Sequence, residues 1–355
     1  MSFSGALDLA IVVGVLTAFF LVKSRWNYLR FAAVAKKESG PKPDVTVIIP
    51  ARNEAANIAR CIGSFPGTRV IVVDDDSSDS TARTARSAGA QVISAPPLAD
   101  GWLGKPNACW AGAQLASTAW LLFVDADTWF DKKALLSLQH HAESRSLDML
   151  SAFLHQERVT LAEDTVLPYA FALYFCGVSA GAVARGSQSL ANGQCLLIRR
   201  DAYLRIGGHK AVAGAVIEDV ELAAVAHENG LKAEVARAEL LGRVRMYDSL
   251  GAIFRGFEKN SFRFLLANPW TGLQVVIASA LLTTYLPILA LLLYFSHYAG
   301  ALVFGLMPVA LLAPWYGGPS AILSIPAIYL FQLIALRAMA TTLFNRKVEW
   351  KGRPV

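Results

Sequence analysis

Two apolar stretches, one toward each end, set the limits on what this chain can fold into. Gly5 to Val22 is almost unbroken, with Asp8 its single acid, and Thr271 to Phe344 is apolar again. A helix crosses a bilayer with about 20 consecutive apolar residues, so the first run is close to the lower limit. The second holds three candidates, Thr271–Phe295, Ala299–Tyr316 and Ala321–Ala340, the last two separated by Gly317, Gly318 and Pro319. Lys23, Arg25, Arg30, Lys36 and Lys37 follow the first run, and Arg346, Lys347, Lys351 and Arg353 follow the last. Positive residues mark the cytoplasmic side. A secretory leader carries its charges before the apolar core, so residues 1–24 read as an uncleaved transmembrane anchor with the next domain inside. The expected location is the inner (plasma) membrane, multi-pass. An outside start and an inside basic tail (346–355) require an odd number of crossings, yet the candidates number four. Pro308, Pro314 and Pro326 favour broken helices, and one member of the region 269–345 is expected to be re-entrant or interfacial.

Hydrophobic residues make up 54% of the sequence and charged ones 17%, and the apolar excess lies in these terminal stretches. The net charge of +6 flanks them as well, so no nucleic-acid-binding face is indicated. Cys61, Cys109, Cys176 and Cys195 show no CxxC spacing and read as thiols in a reducing compartment, without a zinc site or disulfide frame.

Between the apolar ends, 42–249 has the texture of a cytoplasmic α/β domain. Val45–Ile49, Val70–Val73, Gln91–Ser94 and Trp120–Val124 are short apolar runs suited to buried parallel strands. Ala55–Ser64 and Ser80–Ala88 look helical, the first favoured by Asn53 and Glu54 at its start. Alternating strands and helices imply right-handed crossovers and a nucleotide site at the carboxyl ends of the strands. Residues 250–268 mix Ile253, Phe254, Phe257, Phe262 and Leu265 with Arg255, Lys259 and Arg263. That pattern suits a helix in the membrane interface, or a core helix with one solvated face.

Three acidic clusters carry the chemistry. Asp74, Asp75 and Asp76 follow the strand Ile71-Val72-Val73. They can accept hydrogen bonds from a base or ribose, or simply cap the next helix. Asp125-Ala126-Asp127 follows Leu121–Val124 and offers hard oxygen ligands to a magnesium or manganese ion bound with a diphosphate. Ile217-Glu218-Asp219-Val220-Glu221 offers a carboxylate to deprotonate an acceptor, or an acidic helix start.

The motifs Val45-Thr-Val-Ile-Ile-Pro50-Ala-Arg-Asn-Glu54, Val72-Val-Asp-Asp-Asp-Ser77, Val124-Asp-Ala-Asp127 and Ile217-Glu-Asp219 occur in the order of family-2 glycosyltransferases. The resemblance covers roughly Pro43 to Lys259. It implies an α/β GT-A fold, a Rossmann-like nucleotide-diphospho-sugar transferase domain, with N- and C-terminal transmembrane helices. It further implies that Pro50, Ala51, Arg52, Glu54 and Asp75 line the nucleoside pocket. By the same resemblance Asp127, with Asp125 beside it, is expected to hold the metal and diphosphate, and Asp219 to be the general base of an inverting transfer, supported by Glu218. Gly101-Trp-Leu-Gly-Lys105 resembles the family's glycine–lysine loop, placing Lys105 near the nucleotide, unless it is an ordinary exposed lysine. Ala191-Asn-Gly-Gln194 and Gly207-Gly-His209 resemble acceptor-side loops, with His209 either functional or structural.

Within the family, Gly101–Lys105, Gly207–His209, Arg245-Met-Tyr247, Gly256–Asn260 and the tail Trp350–Arg353 look most like enzymes that glycosylate carotenoid acids or occur with hopanoid synthesis. The QxxRW motif of processive synthases is absent after Asp219. Arg243, Arg245 and Lys259 are candidates to neutralise the leaving diphosphate instead. The expected activity is metal-dependent transfer of a single sugar from a nucleotide-sugar, a UDP-sugar by family habit, to a membrane lipid acceptor. A processive polysaccharide synthase and a catalytically silent membrane scaffold are the alternatives.

Overall fold

The structure is a computed structural model that describes residues 3–344, 349–350 and 353–354, without the side chains of 3, 259–262, 342 and 349–354. The side chain of Lys259 and most of the basic tail 346–355 therefore lie outside what is described. The chain divides into two units: Met1–Arg30, Arg158–Ala180 and Tyr247–Val348 in one, Phe31–Glu157, Gly181–Met246 and Glu349–Val355 in the other.

The second unit is built on a sheet whose strands are β1 (Ala32–Ala33), β2 (Val45–Ala51), β3 (Arg69–Asp74), β4 (Gln91–Ser94), β5 (Trp120–Phe123), β7 (Met149–Phe153), β9 (Leu196–Arg199) and β10 (Ala233–Arg237). The short strands β6 (Thr128–Phe130), β8 (His155–Gln156) and β11 (Gly242–Val244) form a separate small sheet. In the main sheet the order is β1-β10-β7-β9-β5-β2-β3-β4. β5, β2, β3 and β4 pair in parallel, β9 runs antiparallel to both neighbours, and β7, β10 and β1 are parallel again.

Burial on both faces explains why the strands read as unbroken apolar runs. Val47 and Ile49 point into one core with Val72, Leu122 and Val124, while Ile48 packs on the other side with Leu121, Phe123 and Cys109. Helix Gly104–Gln114 lies on that second face, and Gly112 permits its approach: a Cβ there would stand 2.6 Å from Ile48 Cγ2. The helices after β2 and β3 are shorter than the sequence suggests, Ile58–Gly63 and Thr81–Ser87. Asn53 does not begin the first of them. It adopts a left-handed backbone (φ 54°), and residues 53–55 are taken up in bonds to the loop after β3.

Among the described residues of the first unit, four helices are long and apolar enough to cross a membrane: Ser4–Leu29, Pro269–Tyr294, Tyr298–Tyr316 and Pro319–Thr341. The range 42–249, read above as one catalytic domain, is not continuous, because Arg158–Ala180 leaves it for this apolar unit. Its helix, Leu161–Gly177, begins with a Thr160–Glu163 capping box and is buried along most of its length by neighbouring apolar helices. The missed signal is that its apolar residues surround the helix instead of lining one stripe. Ser24 donates to Ala172 O (2.6 Å) and Asn27 to Phe175 O (2.9 Å), tying this helix to Phe3–Leu29.

Candidate active site

Side chains from three distant sequence segments meet at the carboxyl end of β5. Lys105 stands at the start of helix Gly104–Gln114, where the helix dipole disfavours a cation. Carboxylates offset that cost: Lys105 Nζ lies 2.8 Å from Asp125 Oδ1 and 2.7 Å from Glu218 Oε1. Its loop is anchored from Leu103 N to Ala213 O (2.8 Å), in the segment leading to Glu218.

Glu218 and Asp219 open the helix Glu218–Glu228, the favourable end for negative charge. The Glu218 side chain is 7% exposed, whereas those of Asp125 and Lys105 are 31% and 35% exposed. Asp219 Oδ2 accepts from Gly193 N (2.7 Å) and its Oδ1 from Val220 N (2.9 Å), which fixes the carboxylate plane. Gly193 is itself placed by the loop around it, since Asn192 N donates to Ser151 Oγ (2.7 Å) and Gln194 N to Asn192 Oδ1 (3.1 Å). A Cβ on Gly193 would stand 3.0 Å from Lys105 Nζ and 3.4 Å from Asp219 Oδ2.

The charges shift one another. Burial, reinforced by the Glu218 carboxylate, pushes Asp219 up to about 6, against the opposing pull of Lys105 and two backbone N–H groups. Burial acts to lower the Lys105 pKa, but Asp125, Glu218 and Asp219 together hold it well above the ordinary lysine value. Lys105 is therefore a permanent cation at neutral pH, and Asp219 an acid poised just below it.

Asp127 lies two residues beyond Asp125, half-buried in the turn that leads into β6. Thr128 Oγ1 donates to Asp125 O (2.7 Å) and Arg245 N to Asp127 O (3.2 Å), so the turn is braced at both aspartates. Among the described residues, no three His, Cys, Asp or Glu side chains gather as a ready metal cage. Asp125 and Asp127 still fit a hard divalent ion that takes its remaining oxygens from a diphosphate and water, as magnesium commonly does.

The nucleoside-side residues form a second cluster at the ends of β2 and β3. Pro50 and Ala51 are in β2, paired with Val73 and Asp74. Asp75 is buried and its N–H donates to Ala51 O (2.8 Å). Arg52 Nη1 donates to Asp75 O (2.6 Å) and Asp76 O (3.1 Å), so this arginine braces the acidic turn. Glu54 accepts from Asn57 Nδ2 (2.9 Å), and its N–H donates to Thr81 Oγ1 (2.7 Å). Ser77, at the end of the acidic motif, joins the two loops together with Asp79 and Thr81 through Asn53, Glu54 and Ala55.

Two further residues resolve differently from a catalytic reading. His209 is 3% exposed, its Nδ1 2.9 Å from Tyr203 Oη and its ring edge-on to Phe123 at 4.7 Å. Burial, with the nearby Lys105 charge, pushes its pKa down to about 3, so it is a neutral core histidine. Arg243 pairs with Glu157 at 3.4 Å on the surface, its side chain 56% exposed. All four cysteines are buried and free.

Residues 46–204 match the family described as Glycosyl transferase family 2. Two proteins named 4,4'-diaponeurosporenoate glycosyltransferase, from two strains of Staphylococcus aureus, are similar to this chain. One is 32% identical over 207 residues, covering 50% of each chain. The other is 30% identical over 232 residues, covering 57% of this chain and 56% of the relative. The chain thus spans about half the length of the curated relatives it matches. A solved structure titled mannosyltransferase PcManGT from Pyrobaculum calidifontis, in complex with GDP-Man and Mn2+, aligns with a TM-score of 0.56. That alignment covers 98% of this chain and 100% of the other at 16% identity, which marks a shared fold.

Proposed function

We propose, from the premise that this chain is a family-2 glycosyltransferase of the GT-A fold, that it moves one sugar from a nucleotide-sugar to a membrane lipid. The observation that carries this reading is the convergence of Lys105, Asp125, Glu218 and Asp219, with the Asp219 carboxylate fixed by Gly193 N–H.

Asp219 would take the proton of an acceptor hydroxyl as that oxygen bonds to the anomeric carbon. The bond from that carbon to the diphosphate oxygen breaks at the same time, and its electron pair leaves on the diphosphate. An acceptor carboxylate needs no proton removed, and Asp219 would then only orient it. The anomeric centre passes through an oxocarbenium-like state. A magnesium or manganese ion held by Asp127 and Asp125 would supply charge neutralisation for the diphosphate. Lys105, within reach of Asp125, adds a fixed positive charge to the same region. The Arg52-braced turn at Asp75 and the neighbouring Pro50, Ala51 and Glu54 would receive the nucleoside, uridine by preference.

A lipid acceptor is supported by the four long apolar helices and by relatives named for a carotenoid acid. A catalytic domain on the cytoplasmic face is supported by the basic residues from Lys23 to Lys37 that follow the first apolar helix.

The deciding experiment offers UDP- and GDP-sugars, manganese and extracted bacterial lipids to detergent-purified protein. A glycolipid formed together with nucleoside diphosphate, and lost with EDTA, is the expected result. Sugar chains of growing length would favour a processive synthase. A folded, nucleotide-binding protein that turns over no donor would sink the reading.

A further inference from the structure

Lys105 sits at the wrong end of its helix for a cation. The first turn of Gly104–Gln114 holds no acidic residue, and Leu103 before it has no side-chain oxygen to cap the helix. The positive end of a helix repels an ammonium and attracts a diphosphate. What holds Lys105 comes from elsewhere in the fold: Asp125 Oδ1 at 2.8 Å and Glu218 Oε1 at 2.7 Å. Gly193 borders the same spot, since a Cβ there would lie 3.0 Å from Lys105 Nζ, 3.4 Å from Asp219 Oδ2 and 3.5 Å from Glu218 Oε1. The ammonium thus stands in the field of three carboxylates, Asp125, Glu218 and Asp219.

Asp125 is also one of the two carboxylates that fit a divalent ion. An ammonium and a divalent ion on one carboxylate are rivals, because like charges at such short range oppose each other even where water screens them. The charge of Lys105 is permanent, but its seat is not. Its side chain is 35% exposed, and a lysine carries its charge on a flexible four-carbon stem. A swing toward an anion at the helix start releases Asp125. The swing also strips Glu218, 7% exposed, of its partner, so only a strongly charged anion can drive it.

We propose, on the donor-binding reading of this site, that Lys105 makes it selective for a divalent ion accompanied by a nucleoside diphosphate over the ion alone. Lys105 holds Asp125 against the metal by itself. A diphosphate draws the ammonium to the start of Gly104–Gln114 and frees Asp125, so the two ligands bind with positive coupling.

The test uses the full chain in detergent and compares the parent with Lys105→Met. Manganese binding without nucleotide is measured by electron paramagnetic resonance, and UDP binding by calorimetry, once in EDTA and once with saturating manganese. Manganese alone should bind the variant about tenfold tighter, and the factor by which manganese tightens UDP should be about tenfold smaller in the variant. An immobile positive charge would change manganese affinity equally with and without UDP, leaving that factor the same in both proteins, and that result overturns the proposal. So does a variant that binds manganese alone no tighter than the parent. Should Lys105→Met not fold, Lys105→Met with Glu218→Gln, which removes the unpaired carboxylate, is read in the same way. A folded parent that binds UDP in neither condition overturns the donor-binding reading and the proposal with it. UDP bound with an unchanged factor overturns the proposal alone.

Discussion

The ammonium of Lys105 lies 2.7 Å from Oε1 of Glu218, a carboxylate whose side chain is only 7% exposed. Glu218 is thus paired from inside the site, while the neighbouring Asp219 carboxylate is held by backbone N–H groups. From sequence, Glu218 reads as a support for Asp219; the structure makes it the tether that holds Lys105. Lys105 also reaches Asp125, so on the proposed function a donor at Asp125 would meet a cation already in place.

Removing that cation should damage both folding and turnover. Lys105→Met leaves Glu218 with a buried negative charge and is expected to cost about 1–3 kcal/mol of stability, reduced from a fully buried pair because the lysine is partly solvated. Turnover should fall roughly 100-fold or more. Adding Glu218→Gln should recover about 1–2 kcal/mol in a double-mutant cycle measured by chemical denaturation. Strict additivity of the two substitutions would show that the pair is not coupled.

Because burial and Glu218 raise the Asp219 pKa to about 6, the reactive carboxylate form is lost as pH falls through that value. With a hydroxyl acceptor, kcat/KM should rise tenfold per pH unit below about 6 and level off above it. Asp219→Asn should abolish that limb. The sign for stability is opposite. A carboxyl whose folded pKa exceeds its unfolded pKa binds protons more tightly in the folded state, so its contribution to stability declines from about pH 4 to 6. The asparagine variant should therefore gain melting temperature relative to the parent at pH 8 more than at pH 4, and an equal difference at both would refute the shift.

Gly193→Ala tests the space in front of the base. The added methyl would stand 3.0 Å from Lys105 Nζ, tighter than ordinary contact, and the flexible lysine end must give way. A roughly tenfold fall in kcat/KM with little change in melting temperature is expected, since a small misplacement at a reacting centre can cost that much. Unchanged kinetics would mean that Lys105 is free to retreat at no cost to the reaction.

Asp127→Ala should abolish the rise in melting temperature that manganese gives together with UDP. Binding linkage predicts that stabilisation by about 2.7 kcal/mol is lost when ligand at 100 times its Kd no longer binds. The comparison with UDP alone separates metal binding from nucleoside binding. An undiminished manganese effect would remove Asp127 from the ligand set.

Tyr203→Phe removes the hydroxyl that accepts from His209 N (3.0 Å) and pairs with its Nδ1. Leaving those buried groups without it should cost about 1–3 kcal/mol. Specific activity of the folded fraction should stay within twofold, because His209 works as part of the core.

Much of the sheet could be read in advance for one reason: strands buried on both faces leave continuous apolar runs. Val45–Ile49 and Gln91–Ser94 coincide with β2 and β4 to within two residues. The carboxyl-end position of Asp75 and Asp125 follows directly from those runs. What was not legible depends on neighbours far away in sequence. Nothing in Thr81 indicates that its hydroxyl will hold Glu54 N–H, 27 residues earlier. Gly193 belongs to the loop Ala191–Gln194 already marked by resemblance, but its particular use, a backbone N–H and an empty Cβ position, is not visible there. Leu161–Gly177 carries its signal in apolar residues on every side of the helix, and only tertiary packing shows which apolar helices surround it.

The place of β9 bears on how the protein is made. In the sheet it separates β5 from β7, and pairs with both, yet it is synthesised after Leu161–Gly177 has emerged. The facing edges of β5 and β7 therefore stay unpaired in the emerging chain until residues 196–199 arrive to close the gap. Unpaired edges are templates for wrong partners. Synthesis of this chain should accordingly be most dependent on chaperones over one interval, after Phe153 has left the ribosome and before Arg199 has.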